Sequence, residues 1–137
     1  MDWTLEAAVV PVTDIDRAKA FYSEQLGVTV DFDTRTPDQP GFVQLTPPGS
    51  SCSIILGAGL TDMTPGSLRC LWLVVADLRV ARDTLVEHQV DVSDFQIFDG
   101  DGFRPHRDGE DLDLAGFVFV TDPDGNRWGV QQISARG

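Results

Sequence analysis

The chain has 137 residues, 42% hydrophobic and 23% charged, with ten Lys and Arg against 22 Asp and Glu and a net charge of −12. That is an ordinary composition for one soluble globular domain, long enough to bury roughly two-thirds of its unfolded surface without staples. The acidic balance and scattered basic residues exclude nucleic-acid and anionic-membrane partners, which need clustered Lys and Arg. No apolar run approaches the ~20 residues of a membrane span, and the first residues lack a basic targeting segment. Two cysteines, Cys52 and Cys70, are too few for a disulfide framework, so a reducing cytoplasm is the expected compartment.

Thr4 to Val12 reads as a buried strand. Asp14 is placed to cap a helix, because its carboxylate accepts from the free N–H groups of a first turn. Ile15, Ala18, Phe21, Tyr22 and Leu26 recur at helical spacing, and Gly27 suits the position after the helix. Val28 to Thr34, Phe42 to Leu45 and Ser53 to Leu56 read as strands, the last two joined by Pro47-Pro48-Gly49. The order then restarts: a strand over Leu71 to Val75, a cap at Asp77, a helix marked by Leu78, Ala81 and Leu85, and a strand over Val90 to Phe98. Phe117 to Val120 and Trp128 to Ile133 form a β-hairpin about the turn residues Asp122 to Asn126, where Gly125 or Asn126 takes φ > 0.

The two halves superpose. An offset of 63 pairs Val12 with Val75, Asp14 with Asp77, Ala18 with Ala81 and Phe32 with Phe95. An offset of 75 lays Gly41–Gly49 over the segment that begins at Gly116. The chain is therefore a tandem β-α-β-β-β repeat: module one about 1–58, a linker about 59–67, and module two about 68–137. The change of offset gives module two 12 additional residues within Asp99 to Ala115, an acid-rich loop containing Phe103, Arg104, His106 and Arg107. An insertion of this kind is either a functional lid or a tolerated loop.

The segments VVPVTDIDRAKAFYSEQLG and FVFVTDPDGNRWGVQQ resemble the vicinal oxygen chelate superfamily, which includes glyoxalase I, bleomycin-resistance proteins and extradiol dioxygenases. The resemblance covers nearly the whole chain. It implies an α+β fold of paired βαβββ modules, with a curled mixed sheet around a cavity, helices on the outer face, and frequent homodimers. In metal-dependent members four side chains, usually His, Glu or Gln, bind a divalent ion. By the same resemblance and the internal repeat, those positions here hold Ala7, Ser53, Cys70 and Gly129. A divalent ion needs about three or four O, N or S donors. Ala and Gly offer none, Ser is a poor ligand, and Cys70 stands alone, so no metal and no cofactor are expected.

Strand alternation sets Ala7, Val9, Cys70, Trp72, Gly129 and Gln131 on the ligand-facing side, with Gln44, Ser53 and the insertion's Phe103 completing a candidate ligand-binding set. Trp72 either stacks on a planar ligand or fills the core. Phe117 and Phe119 share one face, which alternation alone does not identify. Arg104 and Arg107 pair either with an anionic ligand or with carboxylates of their own loop. His106 is the candidate acid–base group, since imidazole titrates near neutrality; the alternative is an exposed loop histidine. The functional expectation is metal-independent binding of a small apolar or aromatic molecule, as in drug-sequestering members. The alternative is a metal-free isomerase, cyclase or lyase with His106 as acid/base, and a divalent-metal glyoxalase- or dioxygenase-type enzyme ranks below both.

Overall fold

Two aspartates start the two helices. In a computed structural model describing residues 1–136, the Asp14 carboxylate accepts from the Arg17 N–H at 3.0 Å, and Asp77 accepts from Arg79 and Val80 at 3.1 and 3.2 Å. Helix α1 (Ile15–Ala20) passes directly into a π-helical turn (Phe21–Gln25), and Gly27 follows at φ +80°. Helix α2 spans Leu78–Glu87.

The chain divides into two compact units, Met1–Leu68 with Pro123–Asn126, and Arg69–Asp122 with the chain from Arg127 on. The first unit holds β1 (Ala7–Val9), β2 (Thr29–Asp33), β3 (Val43–Thr46) and β4 (Ser53–Leu56) in the order β1-β4-β3-β2. β1 and β4 run parallel and the other pairs antiparallel. Val43, Leu45, Ile54 and Leu56 point to the buried side, and α1 packs on β4. Alternate apolar residues thus bury one sheet face, each contributing roughly 1.5–3 kcal/mol.

The second unit holds β5 (Arg69–Val75), β6 (Asp91–Val92), β7 (Gln96–Phe98), β8 (Phe103–Pro105), β9 (Gly116–Thr121) and β10 (Arg127–Gln132), in the order β5-β10-β9-β7-β8, with β6 also on β9. β5 and β10 are parallel and the remaining pairs antiparallel. Helix α2 packs on β6, β9 and β10. Each unit thus repeats one plan, in which the first strand lies parallel to the last.

Three expectations change. The first strand is only Ala7–Val9, because Thr4–Glu6 are exposed and Pro11 lacks the N–H a ladder needs. The strand expected over Val90–Phe98 breaks into β6 and β7. At the break, the Phe119 N–H bonds to the Ser93 hydroxyl at 2.9 Å, so a side chain replaces a ladder acceptor. The insertion is not an unstructured loop: β8 pairs with β7, and the Asp113 carboxylate accepts from the Ser134 N–H and hydroxyl at 2.7 and 2.8 Å.

The hairpin turn belongs to the first unit and is tied to its start. Asp124 accepts from the Thr13 hydroxyl at 2.6 Å and from Arg17 at 3.1 Å. Asn126, fully buried, donates to the Pro11 carbonyl at 2.8 Å and accepts from the Leu68 N–H at 3.1 Å. Gly125 takes the left-handed turn position at φ +103°, which leaves Asn126 free to clamp.

Candidate ligand-binding face

The second unit carries an aromatic sheet face. Cross-strand pairing sets Gly129 beside both Trp72 and Phe119, and Gln131 beside Phe117. Partners in register share a face, so Trp72, Gly129, Phe117 and Phe119 lie on one side and Trp128 on the other. Trp72 meets Phe117 edge-on with ring centroids 5.0 Å apart; Phe103 meets Phe117 at 5.1 Å and Phe119 at 4.9 Å. Phe117 and Phe119 are near-parallel at 6.2 Å, and Phe98 flanks Phe103 at 5.2 Å.

Exposure divides this cluster into a floor and walls. Phe117 and Phe119 are 2% and 9% exposed, whereas Trp72 and Phe103 are 59% and 43% exposed. Edge-to-face pairs contribute about 0.5–1.5 kcal/mol each beyond burial, so the floor orients the walls. Large aromatic side chains left open to water in a contiguous group mark an interaction surface.

Gly129 makes this arrangement possible. A Cβ there would lie 3.3 Å from Trp72 Cδ1 and 3.4 Å from Cys70 Sγ. The space a side chain would fill is thus bordered by the indole and the thiol. Burial pushes the Cys70 thiol up from its ordinary pKa, against the smaller lowering by the Gly129 backbone and by Arg127 and Arg69. The thiol accordingly stays protonated at neutral pH and donates to the Leu71 carbonyl at 3.3 Å. Gln131 directs its amide N–H to the Leu114 carbonyl at 2.7 Å.

In the first unit, Ala7 pairs with Ser53 and Val9 with Ile55, and Gln44 lies across from Ile55. The Ser53 hydroxyl is 2.6 Å from Thr46 Oγ1 and 3.4 Å from Gln44 Nε2, and Thr46 in turn donates to Asp31. This is a polar chain from Gln44 to Asp31, with buried Ser53 inside it.

These donors do not suit a divalent ion. One position in each unit has no side-chain donor, the Ser53 hydroxyl is already engaged, and Cys70 offers a single sulfur. Among the described residues, no group of three or more His, Cys, Asp and Glu is placed to hold a metal.

His106 lies with its ring 6.1 Å from Phe95, which also carries Arg79 and Arg82 of α2 over its ring at 5.3 and 5.6 Å. Its Nε2 is 3.0 Å from the Glu110 carbonyl, an acceptor only, so this nitrogen carries the proton. Arg104 pairs with carboxylates of its own loop: two hydrogen bonds reach Glu110 at 2.8 and 2.6 Å, and Asp99 lies at 3.4 Å. The guanidinium, with the Arg107 N–H second, holds the Glu110 carboxyl down to about 2. A polar depression of about 390 Å³ lies away from the aromatic face, between Asp77, Arg79, Glu110 and Gln132. Its polar groups are committed, with Glu110 on Arg104 and Gln132 accepting from the Leu78 N–H at 2.9 Å.

The residue that strand reading missed is Arg127. Its guanidinium lies over the Phe119 ring, 3.9 Å from the centroid. Alternation contained the signal: Arg127 is two residues before Gly129 and shares its face.

Two mixed sheets of this plan, one with an open aromatic face, define a glyoxalase-type fold. The sequence model of the Glyoxalase/Bleomycin resistance protein/Dioxygenase superfamily matches residues 4–130, and the chain belongs to that superfamily. Among solved structures it is similar to TnmS3, an antibiotic binding protein from Streptomyces sp. CB03234, with 28% identity, a TM-score of 0.74, and 97% and 98% of the two chains covered. A glyoxalase/bleomycin resistance protein from the same organism has 29% identity and a TM-score of 0.71, covering 94% of this chain and 100% of that one. A superfamily member from Sphaerobacter thermophilus shares the fold at 24% identity and a TM-score of 0.74, covering 96% and 98%. No curated protein sequence matches the chain.

Proposed function

We propose that this protein binds a small, largely apolar or aromatic molecule without a metal ion, on the face formed by Trp72, Phe103 and their Phe117–Phe119 floor. The observation that carries this is the exposed, pre-oriented Trp72 and Phe103 pair over buried rings. A planar molecule covering them removes apolar area from water at about 25 cal/mol per Å² and needs no reorganisation of the floor. The similarity to an antibiotic binding protein points the same way. Metal independence follows from the poverty of donors at Ala7, Ser53, Cys70 and Gly129. Homodimerisation is part of the reading, supported by Trp3 and Leu5, which are exposed ahead of β1.

The test combines titration with composition. A panel of planar aromatic compounds should quench Trp72 emission and raise the melting temperature, and protein purified without chelator should hold no stoichiometric metal. A flat response across the panel, or one equivalent of a transition metal per chain, contradicts the proposal.

A further inference from the structure

Among the described residues of this acidic chain, five of the ten Lys and Arg form ion pairs with carboxylates: Arg17 with Asp124, Lys19 with Asp33, Arg35 with Asp16 and Asp33, Arg82 with Asp94, and Arg104 with Glu110. Arg127 differs. Among the described residues it forms no ion pair, and its guanidinium rests 3.9 Å from the Phe119 ring centroid at the edge of the aromatic face. A ring face holds a guanidinium in place while leaving its N–H edge free to donate.

The neighbouring geometry says what would use that edge. Arg127 and Gly129 lie two residues apart on one strand face, roughly 7 Å from each other at strand spacing. Phe119 faces Gly129 from one side and Trp72 from the other. The indole of Trp72 already covers Gly129, so a planar ring system lying on the exposed side of Trp72 shares this sheet face with the Arg127 guanidinium, which is placed for one of its substituents. The net charge of −12 disfavours anions at long range, but that field is screened beyond about 8 Å at physiological salt, so the local cation decides.

We propose that the molecule bound at this face is a planar aromatic acid, seated against the exposed Trp72 and Phe103 with an ionised carboxylate or phenolate on Arg127. The inference rests on the binding role proposed above and adds the charge of the ligand to it. Arg127 is then the specificity-determining residue, and the aromatic floor supplies affinity common to charged and neutral ligands.

The test uses the full chain with Trp3→Phe, so that Trp72 is the exposed reporter, and two probes of one shape, 9-anthracenecarboxylate and 9-anthracenemethanol. The carboxylate should bind about tenfold tighter, and raising salt from about 20 to about 300 mM should shrink that ratio. Arg127→Gln should bring the ratio near one by weakening the carboxylate far more than the alcohol; Arg127→Lys should keep part of it. Trp72→Ala, followed by anthracene emission, should weaken both probes alike and preserve the ratio. Equal binding of both probes to the Trp3→Phe chain would overturn the acid and leave the binding role standing. Binding of neither overturns both. A dimer whose Trp72 emission is already blue-shifted and unmoved by either probe assigns this face to a second copy, which also overturns the inference.

Discussion

Trp72 lies against Gly129 closely enough that a β-carbon on the glycine would come within 3.3 Å of the indole Cδ1. The resemblance to metal-dependent relatives assigns this strand position to a glutamate. A carboxylate side chain and the present indole compete for one space, and a strand face cannot release either without displacing the other. Gly129→Glu is therefore expected to swing Trp72 away and weaken a planar aromatic probe at least about tenfold, or ~1.4 kcal/mol. It should gain no divalent metal, because Ala7 and Ser53 still lack usable donors. Probe titration and elemental analysis check both halves, and stoichiometric metal in the variant would contradict the second.

Phe117 and Trp72 touch, yet truncating them should separate stability from binding. Phe117 is 2% exposed and meets Trp72, Phe103 and Phe119, so Phe117→Ala should cost about 3–5 kcal/mol in urea unfolding. Trp72 is mostly open to water, so Trp72→Ala should cost about 1 kcal/mol or less while abolishing most of the ligand response. The reverse order of stability losses would mean that Trp72 is a core residue.

His106→Ala should leave ligand affinity within about twofold, since its Nε2 proton is committed to the Glu110 carbonyl and its ring lies on Phe95. Loss of binding in this variant, or of any turnover found for a ligand, would restore the acid–base role.

What could be read from the residues follows the range of the interactions. Asp14 and Asp77 were legible because a cap is local, satisfied within three residues. The repeat was legible because module order and Asp, Ala and Phe identities recur together. The insertion was not, because β8 is held by pairing to β7 and by the Arg104–Glu110 pair rather than by any periodicity of its own. The face of Phe117 and Phe119 likewise depends on the register of β9 against β10, a non-local quantity. Asn126 read as a turn residue, whereas its role comes from Pro11 and Leu68, more than fifty positions away.

Asn126→Ala should accordingly act on the whole first unit. The change removes one donor and one acceptor at a fully buried position, taking a hydrogen bond from the Leu68 N–H and leaving the Pro11 carbonyl with the Gly66 N–H at 3.2 Å. Each buried group left unsatisfied costs about 1–3 kcal/mol. A loss of about 2 kcal/mol or more in denaturant unfolding is expected, and a change under about 0.5 kcal/mol would show that water replaces the clamp.

Glu110 gives the insertion a pH dependence of known sign. Its carboxyl is held at about 2 against an ordinary 4.5, first by Arg104 and then by the Arg107 N–H. A carboxyl with a depressed folded-state pKa binds fewer protons in the native state, so its contribution is complete above the unfolded value. It is lost as pH falls from about 4.5 towards about 2. Glu110→Gln removes the charge at every pH. The melting-temperature gap between native protein and variant should therefore be constant near neutrality, narrow below about pH 4.5, and close by about pH 2. The Arg107 amide, which donates to Glu110 at 2.7 Å, should lose protection relative to its intrinsic exchange rate over the same window. A gap that stays constant down to the lower limit would mean that the Arg104–Glu110 pair contributes nothing to the fold of the insertion.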